Sequence, residues 1–201
     1  MPTFDEIKKL LSTKTVGIAG AGGLGSNCAV ALARTGVGTI IVADFDTVSE
    51  SNLNRQYYFY DQIGQKKVDA LKENIARINP GITVRAVSER VTQSNIIQLF
   101  GNCHVIVEAF DRADQKQMLI EFVITNMPNT PIVAGSGMAG FGESNSLHVE
   151  KFDNLYICGD GNSEVSEHNP PLAPRVGIVS NMEANVVLEI LLKELGNGSR
   201  Y

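Results

Sequence analysis

The chain has 201 residues, of which 43% are hydrophobic and 19% are charged, and its formal net charge is −5. This composition is typical of a globular protein with a substantial core, and it excludes a disordered chain. The acidic balance provides no broad basic field, so we expect no nucleic-acid partner. The N-terminal segment lacks the pattern of a secretory signal, and no apolar run reaches the roughly 18 residues of a membrane span. We therefore expect a cytoplasmic protein that does not contact a membrane.

The three cysteines are scattered and form no CxxC pair. An odd number at these spacings predicts neither a disulfide framework nor a four-cysteine zinc site. We expect no structural zinc.

Strand-like and helix-like segments alternate along most of the chain. Apolar runs at 15–19 and 39–43 predict strands buried on both faces, and small apolar residues at 26–35 predict a helix that ends at Gly36. The later pattern predicts strands at 82–86, 104–108 and 131–134, and helices at 66–78, 94–100, 113–126 and 178–195.

This order predicts an α/β fold of the Rossmann-like, doubly wound type, with a mostly parallel sheet. A turn-rich segment at 135–142 precedes a candidate edge strand at 146–150, which would form an antiparallel C-terminal edge. Residues 153–174 are polar and rich in Gly, Asn and Pro, and we predict a mobile crossover loop there. No linker divides the chain convincingly, so we expect one domain over residues 1–201.

The strongest local motif is the glycine-rich sequence GAGGLG, which occupies 20–25 between a predicted strand and a predicted helix. Gly20, Gly22 and Gly25 fit the pattern in which backbone N–H groups approach phosphates at the positive end of a helix. Asp44 ends the second strand, where a carboxylate binds ribose hydroxyls. The motif predicts a nucleotide site but does not separate ATP from a dinucleotide.

A second set of polar residues follows the predicted strand ends. Arg55 can bind phosphate oxygens, Asn52 and Gln56 can donate hydrogen bonds beside it, and Lys67 can return to the same mouth. Asp111 follows another strand and suits Mg²⁺. Taken singly, the bases are readily explained as solvated charges and Asp111 as a helix N-cap. Together they favour phosphoryl or nucleotidyl transfer.

Four sequences in order, GAGGLGS, DFDTVSESNLNRQ, GQKKVDALKENIARINP and AFDRADQK, resemble the ThiF/MoeB/HesA family, which is related to the nucleotide-binding domain of ubiquitin-activating enzymes. The resemblance covers roughly residues 15–140 and extends to the last helix. The short length and the absence of zinc cysteines are most similar to the compact ThiF type of thiamine biosynthesis.

The resemblance implies MgATP-dependent adenylylation of the C-terminal glycine of a small ubiquitin-like sulfur carrier that ends in Gly-Gly. It implies that Gly22, Gly23 and Gly25 hold phosphates, that Asp44 binds ribose, and that Asp111 binds Mg²⁺. It further assigns catalytic roles to Arg55, Lys67 and Asp111. The other members of the implied nucleotide site are Gly20, Asp46, Ser51, Asn52, Gln56 and Arg112.

The chain departs from this family in its N-terminal segment and in its cysteines. Longer members insert an N-terminal arginine into the partner subunit's site, whereas the first arginine here is Arg34. Lys8, Lys9, Arg112 and Arg175 are candidate substitutes. Cys158 lies in the predicted crossover loop, where we expect a cysteine without a catalytic task. The resemblance also implies a homodimer.

Three other interpretations stay open at this point. A nicotinamide-dependent oxidoreductase would use the same glycine loop but has no task for Arg55 and Lys67. A non-catalytic scaffold would explain the missing arginine. A molybdopterin-type carrier would keep the chemistry and change the substrate. The predicted crossover loop, for its part, would close over the carrier's tail on binding.

Overall fold

The computed structural model describes residues 2–195, in which seven strands form one sheet with the order β3-β2-β1-β4-β5-β7-β6. All neighbouring strands are parallel except β6 and β7. The strands are β1 (Thr15–Ala19), β2 (Thr39–Ala43), β3 (Thr83–Val87), β4 (Val105–Glu108), β5 (Ile132–Gly135), β6 (His148–Phe152) and β7 (Leu155–Gly159). The helices are α1 (Phe4–Leu11), α2 (Gly23–Thr35), α3 (Lys67–Ile78), α4 (Ile96–Phe100), α5 (Ala113–Asn126) and α6 (Ala173–Leu192).

The central strands are buried on both faces because helices cover both sides of the sheet. One apolar cluster joins α2, α3 and α6 to the sheet, with Leu32, Leu71 and Val187 fully buried. The other joins α4 and α5 to the opposite face, around Phe100 and Leu119. Continuous apolar strands are expected in such a two-sided sheet. The predicted Rossmann-like α/β fold with an antiparallel C-terminal edge is confirmed.

The strand order reverses beside β1, which pairs with β2 on one side and with β4 on the other. The chain therefore runs from β1 to β2 and β3 on one side and returns to β4 on the other side, and a crevice opens at the carboxyl end of the sheet. Ligands of open α/β sheets bind in this crevice. The glycine-rich loop follows β1 directly, so the fold places it there.

The prediction that 153–174 is irregular throughout is wrong at Leu155–Gly159, which forms β7 between β5 and β6. Its short apolar core was hidden by the polar and glycine-rich residues on either side. Tyr156 and Cys158 are buried in this strand. The edge strand expected at 146–150 is present but displaced to His148–Phe152.

Several helix boundaries differ from the sequence prediction for local reasons. The helix expected at 94–100 begins at Ile96, because Asn95 closes a turn by accepting the N–H of Thr92 at 2.8 Å. The last helix begins at Ala173 rather than at 178, and Pro174 lies in its first turn, where a proline costs no helical hydrogen bond. Gly196, which ends this helix in the sequence prediction, lies outside the described residues.

Helix α1 was not predicted. It has a capping box in which Thr3 and Glu6 exchange hydrogen bonds. Over residues 2–195, none of the helices is long and apolar enough to cross a membrane.

Candidate functional site

The glycine-rich loop connects β1 to α2 with almost no space for side chains. Gly20 has a φ of +101°, and a Cβ there would lie 2.7 Å from the carbonyl oxygen of Ala109. A Cβ on Gly25 would lie 1.9 Å from the carbonyl oxygen of Gly20. The N-cap of α2 is Gly22, which provides no side-chain cap, so the first N–H groups of the helix are open to an anion.

Asp44 stands beside this loop at the end of β2. One carboxylate oxygen accepts the N–H of Ala21 at 2.6 Å, and the other accepts the N–H of Asp46 at 2.8 Å. These two hydrogen bonds fix the carboxylate against the loop, and it retains lone pairs that can accept ribose hydroxyls.

Lys67 and Asp46 form an ion pair at the same edge of the sheet. The Lys67 ammonium lies 2.9 Å from an Asp46 carboxylate oxygen, and Lys67 is only 6% exposed. Its position is fixed further because its backbone N–H donates to the carbonyl of Asp46 at 2.9 Å. An ammonium with one partner retains two N–H donors, which suits contact with phosphate oxygens.

The segment that follows β2 carries Arg55 to the loop. The aliphatic part of Arg55 lies against Gly23, 3.6 Å from the position of a Cβ there, while its guanidinium donates to the carbonyl of Ser51 at 3.2 Å. Asn52 accepts the backbone N–H of Arg55 at 3.1 Å and caps this turn through Ser49. The turn therefore holds the aliphatic part of Arg55 against the first helical turn after the loop.

Gln56 lies behind this turn, next to Gly22. Its side-chain nitrogen lies 3.9 Å from the position of a Cβ on Gly22, and its buried side-chain oxygen has no hydrogen-bond partner within the described residues. A buried acceptor without a partner normally implies a missing donor. A ligand hydroxyl or an ordered water in the crevice would supply that donor.

Three supporting residues were not found by sequence reasoning. Asn27 donates to the carbonyls of Gly23 and Arg55 at 2.7 and 2.9 Å, and so ties the arginine turn to α2. Ser26 accepts the N–H of Tyr57 at 3.0 Å. Tyr58 donates to the carbonyl of Ala21 at 2.7 Å, and burial raises the pKa of its hydroxyl, which therefore stays a donor. The available signal was the polar pair Ser26-Asn27 inside an otherwise apolar helix.

Asp111 and Arg112 follow β4, whose end touches the loop through the N–H of Ala109 and the carbonyl of Ala19 at 2.9 Å. Asp111 is exposed, and the N-cap of α5 is Arg112, so the interpretation of Asp111 as that cap is wrong. Arg112 forms a bidentate ion pair with Asp114 at 3.0 and 2.9 Å. In the structure Arg112 is therefore paired within its own helix, at an exposed position.

A magnesium ion fits this arrangement only with water and phosphate as most of its ligands. No group of three or more His, Cys, Asp or Glu side chains suited to a metal occurs within residues 2–195. Mg²⁺ commonly takes one or two carboxylates and completes its shell with waters and substrate phosphates. Asp111, exposed at the mouth, can provide such a single carboxylate.

A buried acidic pair lies beneath the site. Glu108 ends β4, accepts the N–H of Phe110 at 2.8 Å and forms an ion pair with Lys116. Glu183 of α6 is fully buried, and neither of its carboxyl oxygens has a hydrogen-bond partner within the described residues. Burial raises the pKa of Glu183 well above its usual range, although Lys116 opposes the shift, and this favours the neutral form of the carboxyl.

The cysteines have no reactive environment. Cys158 is buried in β7, and burial raises the pKa of its thiol to about 12. Its placement in a mobile loop was therefore wrong. Cys28 and Cys103 are buried as well, and burial raises the pKa of each thiol. Thiolate chemistry is disfavoured at all three positions.

The fold and the crevice define a Rossmann-like nucleotide-binding protein. Residues 3–200 match the ThiF family, and the chain belongs to that family.

Named relatives fall into two length classes. The "Adenylyltransferase and sulfurtransferase MOCS3" of Caenorhabditis briggsae is 31% identical over 193 residues, or 92% of this chain, but the match covers only 48% of that protein. The "Molybdopterin-synthase adenylyltransferase" of Salmonella typhimurium is 29% identical over 94% of this chain and 77% of its own length. The "Sulfur carrier protein ThiS adenylyltransferase" of Escherichia coli is 28% identical over 94% of this chain and 76% of its own length.

Among solved structures, the tRNA N6-threonylcarbamoyladenosine dehydratase of E. coli in complex with ATP superposes with a TM-score of 0.86. The match covers 97% of this chain and 92% of that one, at 22% identity. At this identity the likeness establishes the shared fold.

Proposed function

We propose that this chain is an ATP-dependent adenylyltransferase that activates the C-terminal glycine carboxylate of a small ubiquitin-like sulfur-carrier protein ending in Gly-Gly. The observation that carries the proposal is the placement of two cationic side chains, Arg55 and the buried Lys67, around a glycine loop with open helix N–H groups. Hydride transfer has no task for such a pair, whereas nucleotidyl transfer depends on stabilising phosphate charge. A non-catalytic scaffold would not need a buried ammonium at the mouth.

In the proposed reaction, a carrier carboxylate oxygen attacks the α-phosphorus of ATP, and the bond to the bridging oxygen breaks. The products are an acyl-adenylate and pyrophosphate. The carrier supplies the nucleophile itself, so the absence of a reactive thiolate at Cys28, Cys103 and Cys158 is no obstacle. Catalysis then rests on positioning and charge stabilisation.

The chain's residues divide these tasks. The N–H groups at Gly22, Gly23 and Gly25 hold phosphates, and Asp44 holds the ribose in a fixed orientation relative to the loop. Arg55 and Lys67 stabilise charge on the transferring and leaving phosphates. Gly20, Asp46, Ser51, Asn52 and Gln56 shape the nucleotide site around them. Mg²⁺ held by Asp111 would neutralise phosphate charge.

The finer assignment is a thiamine-type, ThiS-like carrier. The ThiS adenylyltransferase of Escherichia coli among its relatives supports this choice. A molybdopterin-type carrier is the alternative, because the molybdopterin-synthase adenylyltransferase is equally similar. A tRNA substrate is suggested by the fold of the dehydratase, but the net charge of −5 disfavours it.

Pyrophosphate exchange tests the proposal. The protein is incubated with MgATP, labelled pyrophosphate and, in separate reactions, a ThiS-like carrier, a molybdopterin-type carrier or no carrier. We expect exchange only with a carrier, and a loss of at least about 100-fold in Lys67→Ala, the range for removing one transition-state donor. ATP binding without exchange in any reaction would favour the scaffold, and binding of NAD in place of ATP would favour the oxidoreductase.

We further propose that the protein is a homodimer, with the exposed side of α6 as its interface. From Ala173 to Leu188 this side carries no charged residue, because Arg175 and Glu183 are buried. A groove of about 590 Å³ runs between it and Val149 of β6. Localisation in the cytoplasm stays a prediction, and so does the mobility of the predicted 153–174 crossover in the part that lies between β7 and α6.

A further inference from the structure

Phe141 is 85% exposed at the tip of a turn that follows β5. It lies between Gly140 and Gly142, whose φ angles are +77° and +72°. These left-handed conformations favour glycine, so the backbone that displays the ring is specified by its two neighbours.

A buried arginine holds this turn in place. Arg175, only 3% exposed, donates to the carbonyl of Gly142 at 2.6 Å and to that of Glu143 at 3.4 Å. Its other terminal nitrogen lies 2.5 Å from a carboxylate oxygen of Asp160. On the far side, the N–H of Gly140 donates to the carbonyl of Pro170 at 2.9 Å.

These contacts of Arg175 are not explained by burial of the Phe141 ring. An exposed ring contributes almost no burial free energy, whereas a buried ion pair carries a desolvation penalty. The turn is nevertheless held rigid by a buried arginine and a half-buried carboxylate. Rigid aromatic side chains with little conformational freedom to lose are the residues that dominate protein–protein binding.

The turn is also connected to the nucleotide site. Strand β5 ends at Gly135, where a Cβ would lie 2.5 Å from Leu24 in the first turn of α2. The seven residues from Gly135 to Phe141 are joined by six residue-to-residue steps, which span at most about 20 Å. A polar cavity of about 200 Å³ adjoins the ring and is lined in part by Glu143, Asp160 and Asn169.

We propose that Phe141 is the anchor on which the folded part of the carrier docks, through an apolar patch on the carrier's surface. The inference rests on the proposed function and names the docking residue for its substrate. An aromatic anchor beside a polar cavity, within about 20 Å of the phosphate loop, fits a partner that combines a folded domain with an extended tail of polar backbone. Docking at Phe141 leaves the Gly-Gly tail free to reach the α-phosphate.

The test compares Phe141→Ser with Phe152→Ser. Phe152 is also exposed, at 55%, but lies on the edge strand β6 outside the clamped turn. In carrier-dependent pyrophosphate exchange, Phe141→Ser is expected to raise the KM for the carrier about 10- to 30-fold, the effect of losing one central anchor. The KM for ATP and the kcat at saturating carrier stay unchanged, and Phe152→Ser behaves as wild type.

A binding measurement without ATP separates docking from chemistry. Calorimetric titration with a carrier whose Gly-Gly has been removed should give binding to wild type that Phe141→Ser weakens by the same factor. If exchange fails but this binding depends on Phe141, the docking inference stands and the proposed reaction falls. The inference is overturned if wild type and Phe141→Ser bind the carrier with equal affinity, or if both serine variants lose carrier affinity equally. It is also overturned if wild type binds neither the intact carrier nor the carrier without Gly-Gly.

Discussion

At the scale of single residues, Glu183 is the most unusual side chain in the fold. It is fully buried on α6 with no partner for either oxygen within the described residues. The nearby Lys116 is already paired with Glu108. Burial raises the pKa of the Glu183 carboxyl, so folding favours the protonated form of this side chain.

This proton predicts a pH-dependent stability. Because the folded pKa lies above the unfolded value, the contribution of Glu183 is fully present below the unfolded pKa and is lost as the pH rises. Glu183→Gln removes the titration, and we expect it to raise the free energy of unfolding by about 1–2 kcal/mol at pH 8 and by less at pH 5. Urea denaturation at the two pH values measures the difference.

The matched control is Glu189→Gln, on the exposed side of the same helix. We expect it to leave the free energy of unfolding within about 0.5 kcal/mol of wild type at both pH values. If Glu183→Gln instead destabilises the protein at pH 8, Glu183 is ionised and serves as a partner of Lys116.

Asn27 provides a second prediction at this scale, because it positions Arg55 without touching substrate. Asn27→Ala removes the hydrogen bond to the carbonyl of Arg55, and we expect the KM for ATP to rise about 5- to 10-fold, equivalent to roughly 1 kcal/mol. Asn126 on α5 is the control, because its side-chain amide donates to the carbonyl four residues earlier, as that of Asn27 does, but makes no contact with the site. Asn126→Ala should therefore leave the KM for ATP unchanged, and a rise in both variants would refute the positioning role.

At the scale of elements, the loop between β1 and α2 depends on close backbone contact. Gly25→Ala would bring a methyl group to 1.9 Å from the carbonyl oxygen of Gly20, so α2 must move away from β1. We expect a loss of about 3 kcal/mol or more, seen as a melting temperature lowered by at least ~6 °C, together with loss of ATP binding.

Gly22 is the control within the same loop. The atom nearest to its Cβ position, the side-chain nitrogen of Gln56, is 3.9 Å away. Gly22→Ala should therefore keep the melting temperature within a few degrees of wild type. Equal melting of Gly25→Ala and wild type would mean that the close contact is not required.

The same elements explain what the sequence can predict. Strands β1 and β2 agree with prediction to the residue, because continuous apolar runs end at a glycine cluster and at Asp44. Strand β7 was missed because polar and turn-forming residues lie on both sides of it and mask its short apolar pattern. The strand is specified by pairing with β5 on one side and with β6 on the other, and its own residue pattern does not indicate these pairings.

The candidate site divides in the same way. The glycine loop and Asp44 are recognisable because their spacing follows the strand–loop–helix unit that carries them. The contacts of Asn27, Tyr58 and Glu183 join segments far apart in the chain, and no local spacing encodes them. The pairing of Arg112 with Asp114 was likewise invisible, because either an ion pair or a ligand contact suits an arginine there.

At the scale of the whole molecule, charge is unevenly distributed. The chain carries a net charge of −5, yet four turns of α6 present only uncharged side chains to the surface. Protein surfaces are typically about 25–35% charged, so an uncharged face of this size is unusual for a surface that contacts only solvent. Two acidic copies repel each other, and an interface between them is least costly where neither has charge.

The side chains of this face are also self-complementary. Asn181 and Asn185 lie one helical turn apart on the exposed side, beside Ile178. An amide donates and accepts, so it can pair with another amide across a two-fold axis, where each copy offers the same patch to the other. A face of this kind suits a second copy of the chain better than an unrelated partner.

Opposite charges introduced on this face test the homodimer. We expect wild type to sediment as a dimer, and both Asn181→Asp/Asn185→Asp and Asn181→Lys/Asn185→Lys to sediment as monomers, because like charges then meet across the axis. Mixing the two double variants should restore the dimer. One copy then carries Asp at both positions and the other carries Lys at both, so opposite charges meet whichever positions are in contact. A common misfolding defect cannot produce this rescue. A monomeric wild type, or dimers that persist in both unmixed variants, would place the exposed side of α6 outside any interface.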